Sequence, residues 1–315
     1  MERYDKKSVS IVISAYNEEG NIEKIYEELT KIIKQTSITQ YEILFVNDGS
    51  SDKTFEICKK LMQQDKSIKI FDFERNFGHE IAMTAGLDNA IYEAVIFMDC
   101  DMQHPPYIAK EMIEHWQSGF DVVLTKIKTN KQKSFIRNVV VKFYYYILNL
   151  LSDVKIPHST PDFRLISKRY IDILKTMDEQ ERMFRGMLNW LGVKNAKIIE
   201  FNAPKRFSGA THYNFKSSLK LAINSIIQFS IKPLRFAMYL GICSALIAIL
   251  LSIYVVFEYF TNAKVVNGYT SIVMLILFFS SVQLIILGIF GEYLGRIHLE
   301  VKKRPLYFGQ KWEQK

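Results

Sequence analysis

The chain has 315 residues, 49% hydrophobic and 23% charged, and its 41 Lys and Arg exceed its 33 Asp and Glu for a formal net charge of +8. That composition excludes collagen-like and disordered classes, and the length provides for one large domain or two small ones. The positive balance points to an anionic partner: nucleic acid, a membrane surface or a phosphorylated substrate.

Residues 8–16, SVSIVISAY, form an apolar, β-branched run that stops at NEEGN and reads as a buried strand. The next segment repeats apolar residues at helical spacing: Ile22, Ile25, Tyr26, Leu29, Ile32 and Ile33. YEILFVNDGSSD is a second strand ending in a turn cluster, and Ser51 or Asp52 is placed to cap the helix KTFEICKKLMQQ. IKIFDFERN reads as a third strand, HEIAMTAGLDNAI as a third helix, and AVIFMDCDMQHPP as a fourth strand stopped by two prolines. A helix over YIAKEMIEHWQS and a strand over FDVVLTKI follow. This alternation predicts a parallel sheet with right-handed crossovers, whose ligands bind at the carboxyl ends of the strands. NDGSSD, ERNFGH and DCDMQH all fall at such ends.

Residues 126–155 hold seven Lys or Arg, Arg137 among them, against the single acid Asp153. Their apolar, aromatic stretch FIRNVVVKFYYYILNLL, and the later FKSSLKLAINSIIQFSIKPLR, read as amphipathic helices lying on a bilayer, over 131–152 and 214–233. Two uncharged runs follow, 22 residues between Arg235 and Glu258 and 27 between Lys264 and Glu292. Each is long enough to span the hydrocarbon core, which needs about 20 apolar residues. They predict a transmembrane hairpin over 234–260 and 266–294 with a cytosolic tail over 295–315, leaving 1–130 and 153–213 as the cytosolic domain. Lys232 and Arg235 before the first run, and Arg296, Lys302, Lys303 and Arg304 after the second, place both ends in the cytoplasm of a multi-pass cell-membrane protein. The N-terminal residues lack the apolar length of a signal peptide. Gly288, Gly291 and Gly295 offer close helix packing, and a homo-oligomer is expected. The basic stretch adjoins membrane runs and carries no recognition motif, which disfavours nucleic acid.

Cys58, Cys100 and Cys243 match no metal spacing and no disulfide framework, in keeping with a reducing compartment. GxGxxG, GxxxxGK[ST] and HExxH are absent, which argues against dinucleotide, P-loop and zinc-protease chemistry. In DCDMQ, an extended backbone would put Asp99, Asp101 and Gln103 on one face. Paired hard oxygens suit Mg²⁺ or Mn²⁺ bridging to a substrate phosphate. Asp48 in NDGSSD is placed to accept hydrogen bonds from a base or ribose.

Together SAYNEEGNI, VNDGSSDKT, ERNFGHEIAMTAGL, FMDCDMQHPP and DFRLISKRY resemble glycosyltransferase family 2, and within it the polyisoprenyl-phosphate glycosyltransferases. The resemblance implies an α/β fold of the glycosyltransferase A (Rossmann-like) type, with interfacial helices and a two-helix membrane hairpin. It implies that Ala15, Tyr16, Glu18, Asp48, Arg75, Asn76 and Gly78 hold the nucleotide and that Asp99 faces the nucleotide sugar. Asp101 and Gln103 would carry the metal, and Asp162 matches the proposed catalytic base. Arg137, Arg164, Arg185 and Arg206 are candidates for the lipid phosphate. The implied reaction is inverting transfer of a hexose from a nucleotide sugar, UDP-glucose first and UDP-N-acetylglucosamine next, to polyprenyl phosphate for cell-envelope glycosylation. The alternative is a catalytically inactive nucleotide-binding membrane scaffold. Two departures stand out: Asn47 where many relatives carry Asp, and the triplet THY at 211–213 where SKY is commoner.

Overall fold

A computed structural model describes residues 6–128, 161–204, 227, 230–261 and 268–314. The expected interfacial helices, Arg137, Arg206 and the THY triplet lie outside the described residues, apart from the end of the second helix. The chain divides into two compact units. One joins residues 1–141, 156–214 and 304–315, the other 142–155 and 215–303.

In the first unit, β1 (Ser8–Ala15), α1 (Ile22–Ile33), β2 (Gln40–Asn47), α2 (Thr54–Gln64), β3 (Ile68–Phe73), α3 (His79–Asn89), β4 (Ala94–Asp99), α4 (Pro106–Gln117) and β5 (Val122–Ile127) alternate as the sequence predicts. Beyond them come β6 (Arg164–Ser167), α5 (Lys168–Lys175), α6 (Phe184–Trp190) and β7 (Ala196–Phe201). The eight-stranded sheet runs β7-β5-β6-β4-β1-β2-β3-β8, with β8 formed by Gly309–Trp312. It is mixed, not parallel throughout: β6 enters antiparallel between β4 and β5, and β8 lies antiparallel to β3. β6 thereby starts at the end of the sheet where β4 finishes.

Both faces of the sheet are covered, so the central strands carry near-continuous apolar runs. On one face Ile11, Ile13 and Ile43 pack with Ile25 and Leu29 of α1 and Met112 and Trp116 of α4. On the other Val12, Leu44 and Phe97 meet Ala82 and Met83 of α3, Ile171 of α5 and Phe184 of α6. A Cβ on Gly86 of α3 would sit 2.1 Å from a Val12 methyl, so glycine allows the helix to lie against β1. Asp52, not Ser51, serves the start of α2: its carboxylate accepts from the Thr54 N–H at 3.0 Å.

Residues 295–315 do not form a tail. The second apolar helix continues to Lys302, and Lys303 ends it in the left-handed conformation at φ 45°, two residues before Pro305. The chain then joins the sheet. The Tyr307 ring stacks on Phe73 at 5.5 Å, its hydroxyl donates to Asp88 at 2.9 Å, and Trp312 meets Phe55 edge-on at 5.7 Å. Gly309 lies so close to β3 that a Cβ would fall 2.3 Å from the Asp72 carbonyl oxygen.

In the second unit, α7 (Lys232–Thr261) and α8 (Tyr269–Lys302) are 30 and 34 residues long, about 45 and 51 Å at 1.5 Å per residue, and are long and apolar enough to cross a membrane. They pack on each other. Gly241 accepts the Ile286 side chain, 3.7 Å from where its Cβ would be, and the Tyr293 hydroxyl donates to the Ser230 carbonyl at 2.7 Å. Gly288, Gly291 and Gly295 meet nothing within 4 Å at their would-be Cβ positions.

Deletion of residues 305–315 exposes the edge of β3 and two aromatic contacts. The truncated protein should unfold at least about 5 °C below the full chain in detergent and aggregate on heating, as checked by differential scanning fluorimetry with light scattering.

Candidate active site

The strand register brings the polar clusters level. Ser14 of β1 is opposite Asp99 of β4, Ala15 is opposite Asn47 of β2, and Asn47 is opposite Asp72 of β3. Arg164 of β6 is opposite Phe97, so the antiparallel strand delivers Asp162 to this same edge. Here a cavity of about 430 Å³ is lined by residues from every one of these strand ends. Of the predicted site residues, Ala15, Tyr16, Glu18, Asp48, Asn76, Gly78, Asp99, Asp101, Asp162 and Arg185 border it.

The first two motifs are laced together by their loops. Asn17, at φ 55°, accepts the Ser51 N–H at 2.8 Å, and its own N–H reaches the Ser50 hydroxyl at 3.0 Å. The Glu18 N–H donates to the Thr54 hydroxyl at 2.9 Å, and the Lys53 N–H to the Glu19 carboxylate at 3.1 Å. The second and third motifs meet backbone to backbone at Gly49. With φ +65°, its Cβ would fall 2.4 Å from the Arg75 carbonyl carbon.

Asp48 has structural partners. Its carboxylate accepts from the Phe77 N–H at 2.7 Å and the Gly78 N–H at 3.0 Å, which fixes the loop ahead of α3. Burial pushes its pKa up, against the lowering effect of those two bonds. Asn47 donates its amide to Asp72 at 2.6 Å. A carboxylate at 47 would face another carboxylate, which accounts for asparagine in this chain. Arg75 does not line the cavity; its guanidinium stacks over the Phe77 ring at 4.1 Å.

β4 ends at Asp99 and the chain turns through Met102, at φ 64°. Asp99, Asp101 and Gln103 therefore do not share the face of an extended strand, yet both carboxylates line the cavity. Gln103 is not a lining residue, and its N–H donates to Asp101 at 2.9 Å. His104 accepts the Asp99 N–H at 2.9 Å while stacked on Phe163 at 4.8 Å. Among the described residues no three His, Cys, Asp or Glu side chains group to hold a metal. Asp99 and Asp101 nonetheless supply the hard anionic oxygens that a divalent ion shared with a substrate diphosphate requires.

Asp162 is buried among cations. One carboxylate oxygen pairs with Arg164; the other lies 3.1 Å from Arg185 and 3.7 Å from His79 Nε2. Burial would raise its pKa, but Arg164, His79 and Arg185 outweigh it and hold the carboxyl far below the usual carboxylate range. His79 also lies 3.6 Å from Asp99 and makes a 3.0 Å hydrogen bond with Ser14. Burial opposes its charge, yet Asp99 and Asp162 lift its pKa to about 9. Arg164 and Arg185 also border a second cavity of about 240 Å³, walled by Val122, Leu124, Leu188 and Val193.

His79, Ser14 and His104 are absent from the sequence-derived set. With HExxH absent, the His79–Glu80 pair carries no zinc-site signal in the sequence. Its one usable signal was position, directly after Gly78 at the start of a helix facing the strand ends.

The cavity lies at the carboxyl ends of the strands of an open α/β sheet with helices on both faces, the place where such sheets bind ligands. The family model described as glycosyl transferase family 2 matches residues 10–174, and the chain belongs to that family. It is 39% identical over 302 residues to an uncharacterized glycosyltransferase of Bacillus subtilis, covering 96% of this chain and 93% of that one. It is 35% identical over 299 residues to the prophage bactoprenol glucosyl transferase homolog of Escherichia coli (95% and 97% covered) and 34% identical over 307 residues to the bactoprenol glucosyl transferase of Shigella phage SfV (98% and 99% covered). In fold it is similar to glucosyl-3-phosphoglycerate synthase from Mycobacterium tuberculosis, solved with Mn²⁺, UDP-glucose and phosphoglyceric acid. That likeness has a TM-score of 0.50 at 15% identity and covers 70% of this chain and 78% of that one. The protein is a glycosyltransferase.

Replacing Asp162 with Asn leaves buried Arg164 without its counter-charge and should cost about 3–5 kcal/mol at pH 7. Because the folded carboxyl titrates below its ordinary value of 3.8, the stability it contributes is full above that value and lost as pH falls. The wild-type advantage in denaturant midpoint should therefore hold from about pH 7 down to about pH 5 and shrink as the pH falls further.

Proposed function

We propose that the protein transfers glucose from UDP-glucose to a polyprenyl phosphate at the cytosolic surface of the cell membrane, giving a polyprenyl-phosphate sugar for cell-envelope glycosylation. The reading is carried by one observation. A single cavity is lined both by the carboxylates Asp99 and Asp101 and by Arg185 and His79, which share Asp162. The carboxylates suit a metal-bound nucleoside diphosphate, and the cationic side chains suit an anionic acceptor. Arg185 borders both this cavity and the apolar one, which matches an acceptor with a phosphate head and a hydrocarbon tail. The relatives named as bactoprenol glucosyl transferases, and the two helices long enough to cross a bilayer, support the lipid acceptor.

In the proposed reaction an acceptor phosphate oxygen attacks the anomeric carbon. The bond from that carbon to the diphosphate oxygen breaks, and its electron pair leaves with the nucleoside diphosphate. Displacement from the opposite side inverts the anomeric centre. Mg²⁺ or Mn²⁺, held by Asp101 with Asp99 beside it, would stabilise the charge growing on the leaving group. Asp162 serves as an orienting anion here. It is ionised but triply paired, hence weakly basic, and the phosphate nucleophile arrives already anionic. Asp162 holds Arg185 and His79 where the acceptor and diphosphate charges meet. Lys and Arg flanking the apolar runs favour a topology with the catalytic unit and both ends cytosolic.

The test is transfer of labelled hexose from a panel of nucleotide sugars to undecaprenyl phosphate by the purified full chain. UDP-glucose should be the best donor, with UDP-N-acetylglucosamine as its nearest competitor. Asp101→Ala should lower kcat/KM by about a hundredfold or more. UDP binding by calorimetry without turnover on any polyprenyl phosphate would instead indicate an inactive scaffold.

A further inference from the structure

Glu80 follows His79 in the first turn of α3. The reaction outlined above gives it no part. Its carboxylate accepts the backbone N–H of Phe184 at 3.1 Å, across 104 residues of sequence. Burial and the negative charge of Asp162 push its pKa up to about 7.

Phe184 opens α6, and the N–H groups at a helix start have no partner inside the helix. α6 spans seven residues, too short to persist without tertiary support. Its first residue is fixed twice: the Phe184 ring packs on Phe97 of β4 at 5.4 Å, and its N–H is held by Glu80. The next residue is Arg185, which reaches Asp162 at 3.1 Å and lines both cavities. A closed circuit results. Asp162 contacts His79; His79 is bonded to Glu80; Glu80 holds Phe184; Phe184 is bonded to Arg185; and Arg185 returns to Asp162. Loss of the Glu80 link would free the start of α6 and let the guanidinium swing on its long side chain.

We propose that Glu80 is a positioning residue: by holding the Phe184 N–H it sets the Arg185 guanidinium against Asp162, at the wall that receives the anionic acceptor. This rests on the functional reading above for the identity of the acceptor, but the structural link from Glu80 to α6 does not. The property required is an acceptor oxygen at full glutamate reach, not a negative charge. Glutamine keeps the oxygen and the reach, aspartate keeps the charge but is one methylene short, and alanine keeps neither.

The experiment uses the full-length protein in detergent. Kinetics with UDP-glucose and undecaprenyl phosphate are combined with amide hydrogen exchange. Glu80→Ala and Glu80→Asp should each raise the acceptor KM roughly tenfold with the donor KM within about twofold, whereas Glu80→Gln should stay within about threefold of wild type in both. The double variant Glu80→Ala, Arg185→Ala should be no worse than Arg185→Ala alone, because effects that run through one group do not add. Exchange at Phe184 and Arg185 should quicken in the Ala and Asp variants and not in the Gln variant.

Glu80→Gln as impaired as Glu80→Ala would overturn the proposal in favour of a charge effect. So would additive losses in the double variant, or unchanged exchange at α6. If Glu80→Ala does not fold, the Gln and Asp variants decide the same question. If the wild type transfers sugar to no polyprenyl phosphate, the functional reading fails, while exchange at α6 still tests whether Glu80 holds that helix.

Discussion

Asp162 cannot be buried at the edge of this sheet unless cations are paired with it. Taking an unpaired carboxylate out of water is costly, and the fold meets that cost with buried Arg164 at the start of β6 and with the partly exposed Arg185 on α6 and His79 on α3. Those three groups come from three elements, so α3 and α6 must be held against β6 for the charges to balance. The same requirement builds the site, because side chains that neutralise Asp162 also present positive charge to a cavity that Asp99 and Asp101 line as well. Stability and chemistry thus draw on one set of contacts.

The remaining motif residues serve largely to hold one another. Asp48 spends its carboxylate on the Phe77 and Gly78 N–H groups, Asn47 donates to Asp72, and Gly49 lets the second loop lie on the backbone of the third. The loops at the strand ends are thereby stiffened before a nucleotide arrives. Preorganised groups do not have to be ordered during binding or reaction, which is the physical advantage of such lacing.

The second unit follows a different economy. Its two helices expose apolar side chains along nearly their whole length, a surface suited to lipid and not to water. Within the hairpin the close approach is made at Gly241 against Ile286. After α8 the chain returns to the first unit, where aromatic packing and the pairing of β8 with β3 secure it. The basic residues Lys302, Lys303 and Arg304 lie where α8 ends, ahead of the segment that leads into β8.

Local pattern alone determined a good deal. Strands β1 to β5 and helices α1 to α4 were legible because apolar periodicity and turn residues act over a few positions. The two membrane-length helices were legible because uninterrupted apolar runs have few other solutions. That Asp99 and Asp101 would lie together at a strand end was legible from the apolar run that precedes them, and Asp162 was singled out only by the motif resemblance; all three line the cavity. The antiparallel insertion of β6 and the docking of β8 were not legible, since strand partners far apart in sequence leave no periodic mark. Nor were the contacts of His79 and Arg185 with Asp162, of Glu80 with the Phe184 N–H, or of Asp48 with the Phe77 and Gly78 N–H groups. Those depend on which side chains converge once the sheet has formed, and burial and charge pairing act through space, not along the chain.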